Sequence, residues 1–393
     1  MSGVAEVRDR AGASSSEITD LEVSVVIPCL DEAGSIEKCV SRALSAIADG
    51  DYRGEVIVVD NGSTDGSGQI AAAAGARVVD EPRRGYGNAY LAGLAAADGT
   101  YIVMLDADLT YDIAELPRFI EQLEDGGELV LGNRLEGIQP GAMPWLHRYV
   151  GNPLLTGLLN RLFGTEVKDA HCGMRALRRD LLPDLDLRTG GMELASEMVI
   201  RAAKVGHDIR QLPVAYHPRA GESKLSAWRD GWRHLRFLLV HSPFHLFVVP
   251  GAIMATIGAL VMATVLTQLS LFGRAWDLHA LIAGSLFVIV GVQVVALGLC
   301  AHAYGVYNLG DSDPRFERLQ GRFKLEHGLL AGGTLVVAGV ALGGILMGIW
   351  VNRGFGALSE ERLAIVAATL VTVGVQVFFT SFLLSILGLR RRD

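Results

Sequence analysis

Two carboxylates one residue apart, Asp106 and Asp108, follow the apolar run at residues 101–105. On the end of a strand, acids spaced i, i+2 can share one Mg²⁺ or Mn²⁺, hard cations that take oxygen ligands. Such an ion neutralises a diphosphate as it leaves. Alone, an Asp-x-Asp is a weak signal, because many surface turns contain one. Here two further strand ends carry acids: Asp31 and Glu32 after residues 23–28, and Asp60 with Asp65 after residues 55–60. Acids at three strand ends converge on one crevice, which suits a hydroxyl-rich or metal-bridged ligand better than a bare phosphate. Whether Thr110 or Asp112 joins the metal site is open at this stage. Cations lie further along. The loop holding Arg219, Gly221, Ser223 and Lys224 is able to close over phosphates, with a solvated basic turn as the plainer alternative. Arg134, His147, Arg148 and Arg161 accompany a leucine-rich helical stretch with Trp145. Cations beside apolar residues can receive a lipid phosphate whose tail stays in the membrane, and Arg134 and Arg148 are the favoured pair. His241 and His245 have i, i+4 spacing but no acidic partner, so no zinc site is expected. His171 and Cys172 read as structural neighbours.

These residues need a scaffold. Short β-rich runs at 23–28, 55–60, 77–80, 101–106, 129–132 and 209–216 alternate with helical stretches near 35–48, 67–74, 88–97 and 113–123. Val56-Ile57-Val58-Val59 is apolar without alternation, as in strands buried on both faces. The pattern predicts an α/β domain with a doubly wound, Rossmann-like, mostly parallel sheet, in which ligands sit beyond the carboxyl ends of the strands. No Gly-x-Gly-x-x-Gly turn follows the first strand and no Walker A sequence occurs, which argues against a dinucleotide dehydrogenase or a P-loop ATPase.

The rest of the chain is of another kind. Of 393 residues, 50% are hydrophobic and 20% charged, below the roughly 25% charge of soluble domains. Asp, Glu, Lys and Arg are absent from residues 237–273, 279–310, 328–352 and 363–389. Each window supplies the roughly 20 apolar residues that cross a bilayer core, predicting spans near 245–271, 280–304, 328–351 and 363–388. The connections after the first three carry one, four and two cations, and the tail ends Arg390-Arg391-Arg392. By the positive-inside rule both termini are cytoplasmic, and so is the first domain, since the first 20 residues lack the apolar core of a signal peptide. No ionisable Asp, Glu, Lys or Arg sits inside a span, so the spans read as an anchor rather than an ion path. Glycines at 328, 332, 339, 343, 344 and 348 predict close helix packing. Between domain and anchor, residues 225–243 set Leu225, Trp228, Trp232 and Leu235 on one helical face beside Arg229, Arg233 and Arg236, the composition of a helix lying in the headgroup region. The expected division is a disordered tail (1–21), a cytoplasmic catalytic domain (22–224), an interfacial helix (225–243) and a membrane domain (244–393). A net charge of −8 argues against nucleic acid, and four cysteines without paired spacing fit free thiols in a reducing compartment.

Several segments together resemble a known family. Val25, Ile27-Pro28 and Glu32, then Val59-Asp60-Asn61-Gly62-Ser63-Thr64-Asp65 and Asp106-Ala107-Asp108-Leu109, are similar to the family 2 glycosyltransferases of the GT-A fold. Asn152-Pro153-Leu154, Leu162-Phe163-Gly164, Asp169 through Ala176, Arg219 and Gly221-Glu222-Ser223-Lys224 resemble, more narrowly, the dolichyl- or polyprenyl-phosphate sugar synthases of the dolichyl-phosphate mannose synthase type. The resemblance spans about residues 22–240. It implies that Pro28, Glu32 and Asp60 contact the nucleotide, that Asp106 and Asp108 bind it through Mg²⁺ or Mn²⁺, and that Arg219, Ser223 and Lys224 hold the diphosphate. It also implies that Arg134 and Arg148 receive the acceptor phosphate. Asn61 departs from the family's usual second Asp, Thr110 from Gln or Ser, and His171-Cys172-Gly173-Met174 from a Ser-Gly-Phe run.

The expected reaction is inverting transfer of one hexose, mannose or glucose, from a GDP- or UDP-sugar to a polyprenyl or dolichyl phosphate at the cytoplasmic membrane face. Asp108, Arg219 and Lys224 carry the catalytic burden. A phosphomonoester with a second pKa of about 6 is already largely ionised near pH 7, so a general base is not required. The absence of Gln-x-x-Arg-Trp favours a single transfer over processive synthesis. A glycolipid or glycan acceptor, or a non-catalytic membrane scaffold that binds nucleotide sugar, are the alternatives, and a homo-oligomer is compatible with either.

Overall fold

The computed structural model describes residues 21–219, 227–271, 274–308, 325–355 and 360–388. Residues 1–20 of the expected tail, Gly221, Ser223, Lys224, Leu225, the side chains of Trp228 and Arg229, and all the cations of the second connection and of the last tail lie outside the described residues. The chain divides into two compact units, with the boundary after Leu235.

The first unit is built on β1 (Val23–Cys29), β2 (Gly54–Asp60), β3 (Arg77–Asp80), β4 (Tyr101–Met104), β5 (Leu129–Asn133), β6 (Arg175–Arg178) and β7 (Ile209–Pro213). They form one sheet in the order β3-β2-β1-β4-β6-β5-β7. Val23, Val25, Val26 and Ile27 of β1 are fully buried, because helices cover both faces of a parallel centre. The helices are α1 (Ile36–Asp49), α2 (Ser67–Ala73), α3 (Tyr86–Ala96), α4 (Leu116–Glu124), α5 (Asn152–Phe163), α6 (Leu182–Leu185) and α7 (Leu194–Val205), and α8 (Ala227–Val240) begins in this unit and ends past its boundary. Their apolar spacing explains their seats. Helix α1 buries Ile36, Cys39, Val40, Ala43, Ala46 and Ile47, and α4 buries Leu116, Phe119, Ile120 and Leu123, in each case one helical stripe turned to the sheet.

Strands β1, β2, β3 and β4 are parallel neighbours, with Cys29 opposite Asp60 and Asp60 opposite Asp80. Their carboxyl ends therefore open on one edge, and Asp106 lies two residues past the end of β4. The sheet is mixed: β6 runs antiparallel to both β4 and β5. The sequence reading expected no strand at Arg-Ala-Leu-Arg, since four residues with charged ends carry little strand signal. It also ran the last strand to residue 216. That strand ends at Pro213, and Tyr216 makes only isolated bridges to Tyr111 and Ile138.

Among the described residues, the second unit holds four helices long and apolar enough to cross a bilayer: Phe244–Leu266, Leu278–Val306, Leu325–Asn352 and Glu361–Gly388. At 1.5 Å per residue each reaches the ~30 Å of a hydrocarbon core. The last two touch backbone to backbone. A Cβ on Gly332 would stand 2.7 Å from the Gly374 carbonyl oxygen, and the reverse is equally tight. Gly339 is pressed on Ala367 and Val371, whereas Gly343, Gly344 and Gly348 meet nothing within 4 Å. Close packing thus uses the first half of the glycine run only.

Candidate active site

The loops after β1 and β2 are tied to each other before any ligand is considered. Thr64 N–H donates to Asp31 Oδ1 at 2.7 Å, Ala33 N–H to Asp65 Oδ2 at 2.9 Å, Glu32 N–H to Ser67 Oγ at 2.9 Å, and Ser63 N–H to Asp60 Oδ1 at 2.8 Å. Asp31 and Asp65 are therefore structural, clamping the loop after β1 to the loop after β2. Asp31 does so at a φ of 50°, a region costly for a non-glycine residue. Asp60 lies against Gly68 on the first turn of α2, and Pro28, one residue before the end of β1, stands opposite Val59. Asn61 is buried. Its amide donates to the carbonyls of Glu81 at 2.8 Å and Arg83 at 2.9 Å, while its Oδ1 accepts from Gly85 N–H at 2.7 Å. An ionised Asp has no N–H for those two carbonyls, which accounts for Asn at this position.

The Asp106/Asp108 pair has a divided environment. Asp106 Oδ1 accepts from the Tyr86 hydroxyl at 3.0 Å and the Tyr90 hydroxyl at 3.3 Å. Its other oxygen lies against Gly173, where a Cβ would collide with the carboxylate. Burial, then the Asp108 charge, raises the Asp106 carboxyl to about 6, with the Tyr86 hydroxyl working the other way. Like charges so close demand either a proton or a cation. Asp108 Oδ1 accepts from Thr110 Oγ1 at 2.6 Å and from Thr110 N–H at 3.1 Å. Asp112 instead accepts from Ala114 N–H at 3.1 Å, capping the turn before α4. Thr110 thus orients Asp108, and Asp112 is used for the fold. Among the described residues no group of three or more His, Cys, Asp or Glu side chains could hold a metal by itself. Two oriented carboxylates, one half-buried and one buried, with no third ligand among the described residues, nevertheless fit Mg²⁺ or Mn²⁺, since Mg²⁺ typically takes one or two carboxylates and completes its shell with water and substrate phosphate.

Arg219 brings three of the expected residues together. Its Nη2 donates to Glu32 Oε1 at 2.7 Å and its Nη1 lies 3.6 Å from Asp108 Oδ2, joining the ends of β1 and β4 to the chain beyond β7. Its Nε is buried with no partner among the described residues.

On the other side, Arg134 follows β5 and is buried. Nε and Nη2 donate to the Asp169 carboxylate at 2.7 and 2.9 Å, and its guanidinium lies 5.4 Å over the Tyr216 ring. Burial opposes both charges, but each holds the other: Arg134 stays well above its ordinary range and Asp169 below its own. Arg148 differs. It sits in the π-turn His147–Gly151, half-buried, 5.2 Å over the Tyr149 ring. Arg175 is fully buried and donates to the carbonyls of Cys172 at 2.8 Å, Ala195 at 2.6 Å and Ala170 at 2.6 Å, pinning β6 to the 170–172 loop and to α7.

Known proteins resemble this chain in sequence. The profile "Glycosyl transferase family 2" matches residues 24–186, and "Glycosyltransferase family 2 C-terminal transmembrane region" matches residues 299–388. A low-salt glycan biosynthesis hexosyltransferase, Agl6 of Haloferax volcanii, is 41% identical over 93% of this chain and 89% of its own length. The chain is a family 2 glycosyltransferase. A dolichyl-phosphate hexose transferase of the same organism is 38% identical over 55% of the chain and 92% of its own length. An undecaprenyl-phosphate 4-deoxy-4-formamido-L-arabinose transferase of Pseudomonas fluorescens is 31% identical over 75% of the chain and 88% of its own length.

Within the glycosyltransferase, Glu32, Asp108 and Arg219 form one contact set, with Asp106 beside them. Asp60 and Pro28 lie on the same strand ends, and Arg134 is engaged with Asp169. Sequence reasoning missed Tyr86 and Tyr90, Asp169 as the partner of Arg134, and Gly173 as the backing of Asp106. The tyrosine pair had a signal: aromatic residues at i, i+4 on the first turns of a helix that opens on the same edge.

Proposed function

We propose that this glycosyltransferase moves one hexose from a GDP- or UDP-sugar onto a polyprenyl or dolichyl phosphate, with inversion, at the cytoplasmic face of a membrane. The observation that carries the reading is the junction of Asp108, Glu32 and Arg219 beside the half-buried Asp106: paired acids for a metal-bound diphosphate, with a guanidinium alongside. The relatives named for polyprenyl-phosphate acceptors support the acceptor class.

In this reading a lipid-phosphate oxygen attacks the anomeric carbon, and the bond from that carbon to the diphosphate oxygen breaks, releasing the nucleoside diphosphate. Asp106 and Asp108 would hold Mg²⁺ or Mn²⁺, which offsets charge on the leaving diphosphate. Arg219 adds a cation, and its Nε, which has no partner among the described residues, is a further donor for a phosphate oxygen. Ser223 and Lys224 are assigned to the same diphosphate by resemblance. Arg148 is the acceptor-side cation. Arg134, already committed to Asp169, shapes that side and reaches the phosphate only by sharing its charge. The enzyme's work is positioning and electrostatic stabilisation.

A bilayer seat for the catalytic unit is supported by its exposed apolar residues. Trp145 is 68% exposed, Tyr149 58% and Leu154 67%, alongside Arg148. Trp232 of α8 is exposed as well. Tryptophan, tyrosine and arginine together are the composition of a membrane–water interface. The four spans anchor the chain, and the cation pattern of the connections supports cytoplasmic termini.

The test is a transfer assay with purified full-length protein in detergent, polyprenyl phosphate, Mg²⁺ or Mn²⁺ and a panel of labelled GDP- and UDP-sugars. Label moving into the lipid phase from one donor, and stopping with EDTA, is the expected result. Metal-dependent donor hydrolysis without lipid product would move the acceptor to a glycolipid or glycan. No turnover with any donor would favour the non-catalytic scaffold.

A further inference from the structure

Behind the acceptor side lies a polar cluster that the transfer chemistry does not use. Ser196, on the first turn of α7, is fully buried between two imidazoles. Its Oγ is 3.3 Å from His234 Nδ1 and 3.5 Å from His171 Nε2. The two rings meet edge to face, with centroids 4.7 Å apart. A hydroxyl carries one proton, so the bridge gives that proton to one imidazole and accepts from the other. This needs a bare ring nitrogen on at least one side. His171 supplies it: loss of water around the ring, then the neighbouring His234, push it down to about 3, against the pull of Asp169 and with Arg134 and Arg175 acting the same way as His234. A site that served packing alone would be filled more cheaply by apolar side chains, because burying polar groups costs free energy unless they are bonded.

The ends of this bridge matter. His234 belongs to α8, the helix that leads in sequence to the first span. His171 belongs to the 169–173 loop, and its own N–H donates to Asp169 Oδ1 at 3.2 Å. Asp169 in turn holds Arg134, and Gly173 backs the Asp106 carboxylate. An unbroken line of contacts runs His234–Ser196–His171–Asp169–Arg134. We propose that the Ser196-bridged histidine pair is a latch by which α8 holds the 169–173 loop in place, making His171, Ser196 and His234 positioning residues for the acceptor phosphate. The acceptor half of this statement rests on the lipid-phosphate reading above; the latch itself does not.

Two variants of the full-length protein in detergent test it. Ser196→Ala removes the bridging oxygen with little change of volume, and His234→Phe keeps a ring while removing the nitrogen. In both, amide hydrogen exchange across residues 167–174 should quicken. The KM for polyprenyl phosphate should rise about tenfold while the KM for nucleotide sugar and the rate of metal-dependent donor hydrolysis stay within about twofold. Unchanged exchange in both variants overturns the latch. So does wild-type behaviour of His234→Phe alone, which would show that ring packing suffices. Faster exchange with an unmoved lipid-phosphate KM, or an equal fall in hydrolysis and transfer, overturns the positioning role. If the wild-type protein does not use lipid phosphate at all, the functional reading fails, and the exchange measurement still decides the latch.

Discussion

On the proposed donor side, the loops after β1 and β2 are clamped by hydrogen bonds among Asp31, Ala33, Ser63, Thr64, Asp65 and Ser67, and the strands that carry them lie in one parallel register. On the proposed acceptor side, Arg134 is paired with Asp169 of the 169–173 loop, the carbonyls of Ala170 and Cys172 accept from Arg175, His171 meets Ser196, and β6 next in sequence runs antiparallel to β4. The donor side is set by many exposed or half-buried bonds, each replaceable. The acceptor side turns on a few buried ones, including one ion pair. Loss of a single acceptor-side partner therefore propagates, whereas most donor-side losses stay local.

Substitutions can break or sharpen this contrast. The largest effect falls where the two sides share chemistry: Asp108→Asn should lower metal-dependent turnover on the order of a hundred- to a thousandfold, measured as initial rates, with the unfolding midpoint little changed. Next, Asp169→Ala leaves the Arg134 guanidinium buried and unpaired. Breaking such a pair costs about 3–5 kcal/mol, so thermal unfolding of the full-length protein should occur at markedly lower temperature, and no donor-side loop substitution should match it. Asn61→Asp removes two donated bonds to buried carbonyls and adds charge, for a loss of about 1–3 kcal/mol, read as a lower unfolding midpoint and weaker nucleotide binding. Tyr86→Phe takes one hydroxyl from Asp106 while Tyr90 keeps the other. Metal affinity should weaken about tenfold, visible in an Mn²⁺ titration of rate.

The smallest effect is a pH slope on the acceptor side. His171 binds its proton at about 3 in the folded protein against 6.5 ordinarily, so between these values the unfolded chain holds the extra proton. Stability from this group is complete above about pH 6.5 and is lost as the pH falls towards 3, by up to about 1.4 kcal/mol per unit. Comparing unfolding of wild type and His171→Gln between pH 6.5 and 5 checks it: the variant should have the shallower slope.

The same contrast decided what could be read from the sequence. The strands β1, β2 and β4 announce themselves through unbroken apolar runs, and the acids at their ends follow within two residues, so the donor side and the Asp106/Asp108 pair were legible by local spacing. The four spans were legible from the missing charges. Strand β6 was not, because its place is fixed by Arg175 reaching three carbonyls rather than by any apolar pattern. Nor was the engagement of Arg134, whose partner lies 35 residues away: a buried ion pair leaves no periodic trace. His171 looked like a structural neighbour of Cys172 for the same reason, since Ser196 and His234 come to it only in the fold. Asp31 and Asp65 show the opposite error of emphasis, being acids at the site edge that serve the loops.

One paired measurement bears most directly on a donor site that stands apart from its acceptor side. Asp108→Asn and Arg148→Ala, both full-length and in detergent, would be assayed side by side for metal-dependent nucleotide-sugar binding and for transfer to polyprenyl phosphate. Asp108→Asn should lose both. Arg148→Ala should keep donor binding while transfer to lipid falls about ten- to a hundredfold, the value of a charge-assisted bond to phosphate. Equal loss of donor binding and transfer in Arg148→Ala, or undiminished transfer in either variant, would contradict the account.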